Sequence, residues 1–83
     1  MHYPIITPEQ LPAMLRGLRQ RAGLTQTQAA ERLGISQQSY ARLEARPATA
    51  SVERLHKLLH ALDAELAIHT REDKPAAASD EAW

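Results

Sequence analysis

No cysteine and no phenylalanine occur in this sequence. The first absence excludes a disulfide framework and any thiolate metal site, and it suits a reducing cytoplasm. The second leaves the core to Leu, Ile, Val and Ala, with only two tyrosines to help. Three glycines leave no room for a glycine-rich phosphate loop. No apolar run approaches the roughly 20 residues that span a bilayer. The start, MHYPIITPEQ, lacks the basic segment and apolar stretch of a secretory leader. No Ser/His/Asp arrangement is visible, so neither an enzyme nor a cofactor is expected. Eighty-three residues make one small domain, which buries little more than about 60% of its unfolded surface and is marginal alone.

Net charge is also lacking, but the zero hides an asymmetry. Residues 1–71 carry nine Lys/Arg against six Asp/Glu, whereas residues 72–83 carry one against four. Between Arg16 and Arg46 there are six arginines and two glutamates. A basic centre with an acidic tail is the pattern of a nucleic-acid binder with an appendage, and an ordinary solvated surface is the plain alternative.

What is present reads as four helices. In TPEQLPAMLRGLRQRAG, Thr7 is an N-cap, Pro8 suits the first helical position and Gln10 closes a capping box. Leu11, Met14, Leu15, Leu18 and Ala22 form the apolar stripe. Pro12 is awkward and expected to delay or kink the first turn. In TQTQAAERLG, Thr25 caps a second helix with Gln28, Ala29, Ala30 and Leu33 face inward, and Gly34 ends it. In ISQQSYARLEARP, Ser36 caps a third, Tyr40 and Leu43 point inward and Pro47 stops it. In SVERLHKLLHALD, Ser51 caps a fourth, with Val52, Leu55, Leu58, Leu59 and Leu62 as its stripe. The period then changes: AELAIHTR alternates, with Leu66 and Ile68 on one face, as in a short strand. A lone strand needs a partner. The YPIIT segment, a second copy of the strand, or both could supply it. Residues 72–83 read as a flexible acidic tail.

The second and third helices, joined by a tight turn at Gly34, make a helix-turn-helix. The third offers a polar outer face of Gln37, Gln38, Ser39 and Arg42. A short exposed helix fits the major groove, where Gln pairs with adenine and Arg with guanine. Gln26 presents an amide and a helix N-terminus to a phosphate. Arg16, Arg21, Arg32 and Arg46 suit either a phosphate or water, and Arg32 and Arg46 are taken as phosphate contacts. His56 and His60 lie at i, i+4, a spacing that can hold zinc. No third ligand is evident, and no metal is expected. Trp83, the only tryptophan, ends an acidic tail, where it is either an accident of the end or an anchor for a partner's pocket.

RQRAGLTQTQAAERLGISQQSYARLEA resembles the Cro/C1-type (XRE) helix-turn-helix domain of lambdoid repressors, most specifically in GLTQ, LGIS and RLE. The resemblance implies a mainly α, lambda-repressor-like domain over residues 8–63. It puts base reading on Gln37, Gln38, Ser39 and Arg42, phosphate contact on Gln26, and an ion pair between Arg19 and Glu44. EARP departs from the family, where a glycine commonly follows the third helix, so the next loop is expected to lie differently. ITPEQL before the first helix, LHALDAELAIH running from helix into strand, and a tail ending in Trp resemble the HipB-type antitoxins. That likeness implies a cytoplasmic homodimer that represses its own operon at a palindromic operator. It also implies a HipA-type serine/threonine kinase toxin as partner, and a strand over residues 64–71 that pairs across the dimer. Residues 1–7 are expected to form an extended N-terminal segment. A stand-alone phage-like or controller repressor is the alternative. A helix-turn-helix used only for protein contacts is a third, which leaves the basic centre without a purpose.

Overall fold

The computed structural model describes residues 4–70. Four α-helices follow in order: α1 Leu11–Arg21, α2 Gln26–Leu33, α3 Gln37–Ala45 and α4 Val52–Ala61. Short 3-10 turns at Pro8–Gln10 and Pro47–Thr49 precede α1 and α4.

The N-terminal signals act where the sequence puts them. The Gln28 backbone N–H donates to Thr25 Oγ1 at 3.1 Å, while Gln28 Oε1 accepts from the Thr25 backbone N–H at 2.9 Å. Ser36 Oγ accepts from the Ser39 N–H, and Ser51 Oγ from that of Arg54, each at 3.1 Å. Each bond satisfies a donor that the first helical turn leaves orphaned. Gln10 Oε1 likewise gathers the N–H groups of Thr7 (3.0 Å) and Ile6 (2.7 Å). The expected difficulty at Pro12 takes a definite form. The first turn is 3-10 and the α-helix starts at Leu11, which leaves Pro12 in its opening turn, where a missing N–H costs nothing.

Three of the four α-helix ends share one device, and α3 is the exception. At Gly23, Gly34 and Asp63 the backbone turns left-handed, with φ of 75°, 72° and 60°. The following residue donates back across the turn: Leu24 N–H to Arg19 O (3.1 Å), Ile35 N–H to Ala30 O (3.1 Å) and Ala64 N–H to Leu59 O (2.8 Å). This is the Schellman closure of a helix. A Cβ added at Gly34 would meet nothing within 4 Å, so the cost of a side chain there is backbone strain alone. Gly34→Ala should lower stability by about 1–2 kcal/mol, and Gly34→Asn by less, because Asn tolerates this conformation. Urea denaturation of the two variants measures both, and a neutral Gly34→Ala would contradict the left-handed turn.

The core is Leu15, Ala29, Ala30, Tyr40, Leu58, Leu59 and Leu62. Ala29 and Ala30 are small enough for α3 to pack closely on α2. Met14, Leu18, Leu33, Ile35, Leu43 and Leu55 flank the cluster, half-buried. Val52 departs from the expected stripe. It is 71% exposed, because the whole first turn of α4, Val52 to Arg54, lies outside the packed region. Pro47 stops α3 as expected and is itself buried, so the unusual EARP loop is folded against the domain.

Among the described residues there is no β-strand, and no backbone bond joins residues 4–7 to 64–70. Pairing with the described part of the N-terminal segment is therefore not how residues 64–70 are satisfied. Ile68 is 94% and Leu66 45% exposed. An extended segment forms a ladder only with a neighbour, and the described residues form no such ladder with it. Trp83 and the tail 72–83 lie outside the described residues. No described helix is long and apolar enough to cross a membrane.

Candidate nucleic-acid interface

The side chains of Gln37, Gln38 and Arg42 are exposed and make no hydrogen bond or ion pair among the described residues. Gln38 and Arg42 stand one turn apart on the same line of α3. Gln37 opens the helix. It falls on the line of Tyr40 and Glu44, but before that line enters the core. Ser39 is half-buried, and its Oγ accepts from Ser36 Oγ at 3.0 Å. The structure thus gathers the four expected base-reading residues at the start and outer side of one helix. Three of them carry uncommitted polar heads, while Ser39 is partly spent on the cap.

What holds that helix is a buried carboxylate. Glu44 is 4% exposed. It accepts from Arg19 Nε (2.8 Å) and Nη2 (3.4 Å), from Gln26 Nε2 (3.0 Å) and from Tyr40 Oη (3.0 Å). Arg19 Nη1 donates onward to Leu24 O at 3.1 Å. One side chain therefore ties α1, the start of α2 and α3 together. The Arg19–Glu44 pair agrees with what the family resemblance implied. The parts played by Gln26 and Tyr40 were not foreseen. Tyr40 was expected in the core, and it is fully buried, but nothing in the sequence marked its hydroxyl as a donor to a residue one turn away.

Burial pushes the Glu44 carboxyl up, yet the hydrogen bonds from Arg19, Gln26 and Tyr40 outweigh it and leave the group below its ordinary value. Burial first, and then the Glu44 charge, raise the Tyr40 phenol. The hydrogen bond to Glu44 raises the Arg19 guanidinium. These directions define a plateau of stability. The unfolded chain takes up a proton at Glu44 more readily than the folded one. The network's stability is therefore complete above the ordinary Glu value, about 4.3, and is lost as the pH falls through the lower folded value. The phenol behaves oppositely: its contribution is complete below the ordinary Tyr value, about 10, and is lost as the pH rises through the higher folded value. Urea midpoints measured against pH should fall at both ends. Glu44→Gln should flatten the acid limb and Tyr40→Phe the alkaline limb.

The expected phosphate contacts are placed unequally. Gln26 opens α2, half-buried, with its amide nitrogen bonded to Glu44 and its position thereby fixed. Arg46 caps the C-terminal end of α3, exposed, and its side chain has no partner among the described residues. Arg32 is turned towards α4. Its Nη1 donates to Ala61 O at 2.9 Å and meets Asp63 Oδ1 at 3.4 Å. A guanidinium at a helix C-terminus satisfies an orphan carbonyl and opposes the negative end of the dipole. Arg32 also lines an open depression with Leu33, His56, Lys57, His60 and Ala61. Among the described residues, no three His, Cys, Asp or Glu side chains gather as metal ligands.

Comparison with known proteins agrees with this geometry. The helix-turn-helix family profile matches residues 15–68. No curated protein gives a significant match. Among solved structures, a HipB–O1–O2 complex superposes with a TM-score of 0.72 at 26% identity, covering 83% of this chain and all of that one. A HipA–HipB–O2–O3 complex gives a TM-score of 0.73 at 25% identity, covering 86% and 100%. A complex of HipB with a 20mer O4 gives a TM-score of 0.73 at 25% identity, again covering 86% and 100%. With four helices, an exposed polar face on α3 and this profile match, the chain belongs to the helix-turn-helix family, in its Cro/C1 (XRE) type, and is similar to HipB.

Proposed function

We propose that the chain is the DNA-binding antitoxin of a type II toxin–antitoxin pair. As a dimer it binds a palindromic operator, represses its own operon and neutralises a HipA-type serine/threonine kinase. The observation that supports this best is the pairing of an exposed α3 face bearing unpartnered Gln37, Gln38 and Arg42 with a buried Glu44 network that fixes the helix. Structural likeness to HipB in complexes with O1–O2 and with HipA supports the two kinds of partner.

Gln37, Gln38, Ser39 and Arg42 meet base edges in this reading. Gln26 and Arg46 meet phosphates, and Arg32 adds a phosphate contact through Nε or Nη2, since its Nη1 serves α4. Leu66 and Ile68, exposed in the single chain, pair with their copies in the second subunit. The two α3 helices then enter successive major grooves about 34 Å apart. Trp83 docks in the kinase, with Asp80 and Glu81 facing a basic rim.

Sedimentation and footprinting test the reading together. The expected result is a dimer at micromolar concentration that protects two half-sites. A monomer without operator binding would refute it. Ile68→Lys should dissociate the dimer and take operator affinity with it. Deleting residues 72–83 should leave operator binding nearly unchanged and weaken kinase binding. Equal kinase binding with and without those residues would make Trp83 irrelevant. Operator binding with no kinase binding at all would favour the stand-alone repressor.

A further inference from the structure

His56 and His60 stand one turn apart on α4, both exposed, with ring centroids 4.7 Å apart and planes inclined by 38°. Neither ring has a hydrogen-bond partner among the described residues, so their nitrogens are uncommitted. Two imidazoles that bind one ion at about 2.0–2.1 Å, at angles between square-planar and tetrahedral, place their centroids about 4.5–5.2 Å apart. The observed separation falls inside that interval. We propose that His56 and His60 form a two-nitrogen site for a divalent transition ion of the zinc, nickel or copper class, with water completing the coordination. Imidazole selects these ions over magnesium and calcium, which prefer oxygen.

The surrounding charge allows it. Arg32 and Lys57 line the same depression and would by themselves repel a cation. Each already faces a carboxylate, however: Arg32 meets Asp63 at 3.4 Å and Lys57 meets Glu53 at 3.8 Å. The ion would fasten together the last two turns of α4, directly before the chain leaves for residues 64–70. A rigid helix presents the second ring as an intramolecular ligand, so either ring alone binds far more weakly than the pair.

The test is a calorimetric titration of the full chain with zinc and, separately, nickel. Four histidines are available: His2, His56, His60 and His69. The expected result is one ion per chain, weakened about a hundredfold by either His56→Gln or His60→Gln, and unchanged by His2→Gln or His69→Gln. Both α4 positions are exposed, so the variants should fold as the parent does, which circular dichroism checks. Zinc should raise the unfolding midpoint of the parent and leave that of His60→Gln unmoved. Binding that survives loss of one α4 ring, binding abolished by His2→Gln or His69→Gln, or magnesium bound as tightly as zinc would each overturn the proposal.

Discussion

Replacing Glu44 by Gln should remove a large share of the domain's stability. The substitution keeps the shape but removes the charge that Arg19 Nε meets at 2.8 Å. It also turns one acceptor atom into a donor, facing the donors of Arg19, Gln26 or Tyr40. Removing one partner of a buried pair costs about 3–5 kcal/mol, because the other charge stays buried and uncompensated. The Arg19 side chain retains 14% of its exposure, so the lower end of that range applies. A domain of this size has roughly 4–12 kcal/mol in total. Chemical denaturation should therefore show a midpoint lowered by about 1 M urea or more. A loss below about 1 kcal/mol would mean that Glu44 is solvated in solution. Adding Arg19→Met to Glu44→Gln should restore part of the loss, since it removes the stranded charge, and a double-mutant cycle reads that coupling.

The second large effect is on sequence discrimination. Gln37→Ala and Arg42→Ala should each lower affinity for the preferred operator by about 5- to 150-fold, the equivalent of a good bidentate contact. Binding to unrelated DNA should change far less. Both side chains are exposed and unpartnered, so stability should move by less than about 0.5 kcal/mol. Arg46→Ala should behave differently, weakening all sequences alike and reducing the salt slope by about one. Competition binding against shuffled operators, at two salt concentrations, separates the two behaviours. Intact discrimination in Gln37→Ala would remove that residue from the recognition surface.

The sequence makes the helices legible because their signals are local. Thr25 with Gln28, Ser36 with Ser39 and Ser51 with Arg54 each act across three residues, a distance over which side-chain chemistry alone decides the bond. Gly23 and Gly34 announce their turns for the same reason. Asp63 takes the left-handed position at the end of α4 without being a glycine, so its turn is visible only in the folded chain. The exposed face of α3 was legible as polar residues on one helix. Its support was legible only in part: the family pattern marks Arg19 and Glu44, but Gln26 and Tyr40 reach the same carboxylate through tertiary packing. Arg32 shows the limit most clearly. An arginine near the end of α2 looks like a phosphate ligand in sequence, and only the arrival of α4 reveals the carbonyl it meets. Residues 64–70 keep an alternating pattern that forms no ladder among the described residues.

The division between local caps and a few distant ties also governs how fast the domain forms and comes apart. Helix starts that close over three residues need almost no chain diffusion, and helical domains of low contact order fold in microseconds to milliseconds. Among the described residues, the bonds that reach furthest are those of Arg32 to Asp63 and Ala61, spanning 31 and 29 residues, and of Arg19 to Glu44, spanning 25. Ties that form after the rate-limiting step leave the folding rate nearly untouched and govern the unfolding rate instead. A tie of that kind lengthens the lifetime of the native state without changing the pace of reaching it.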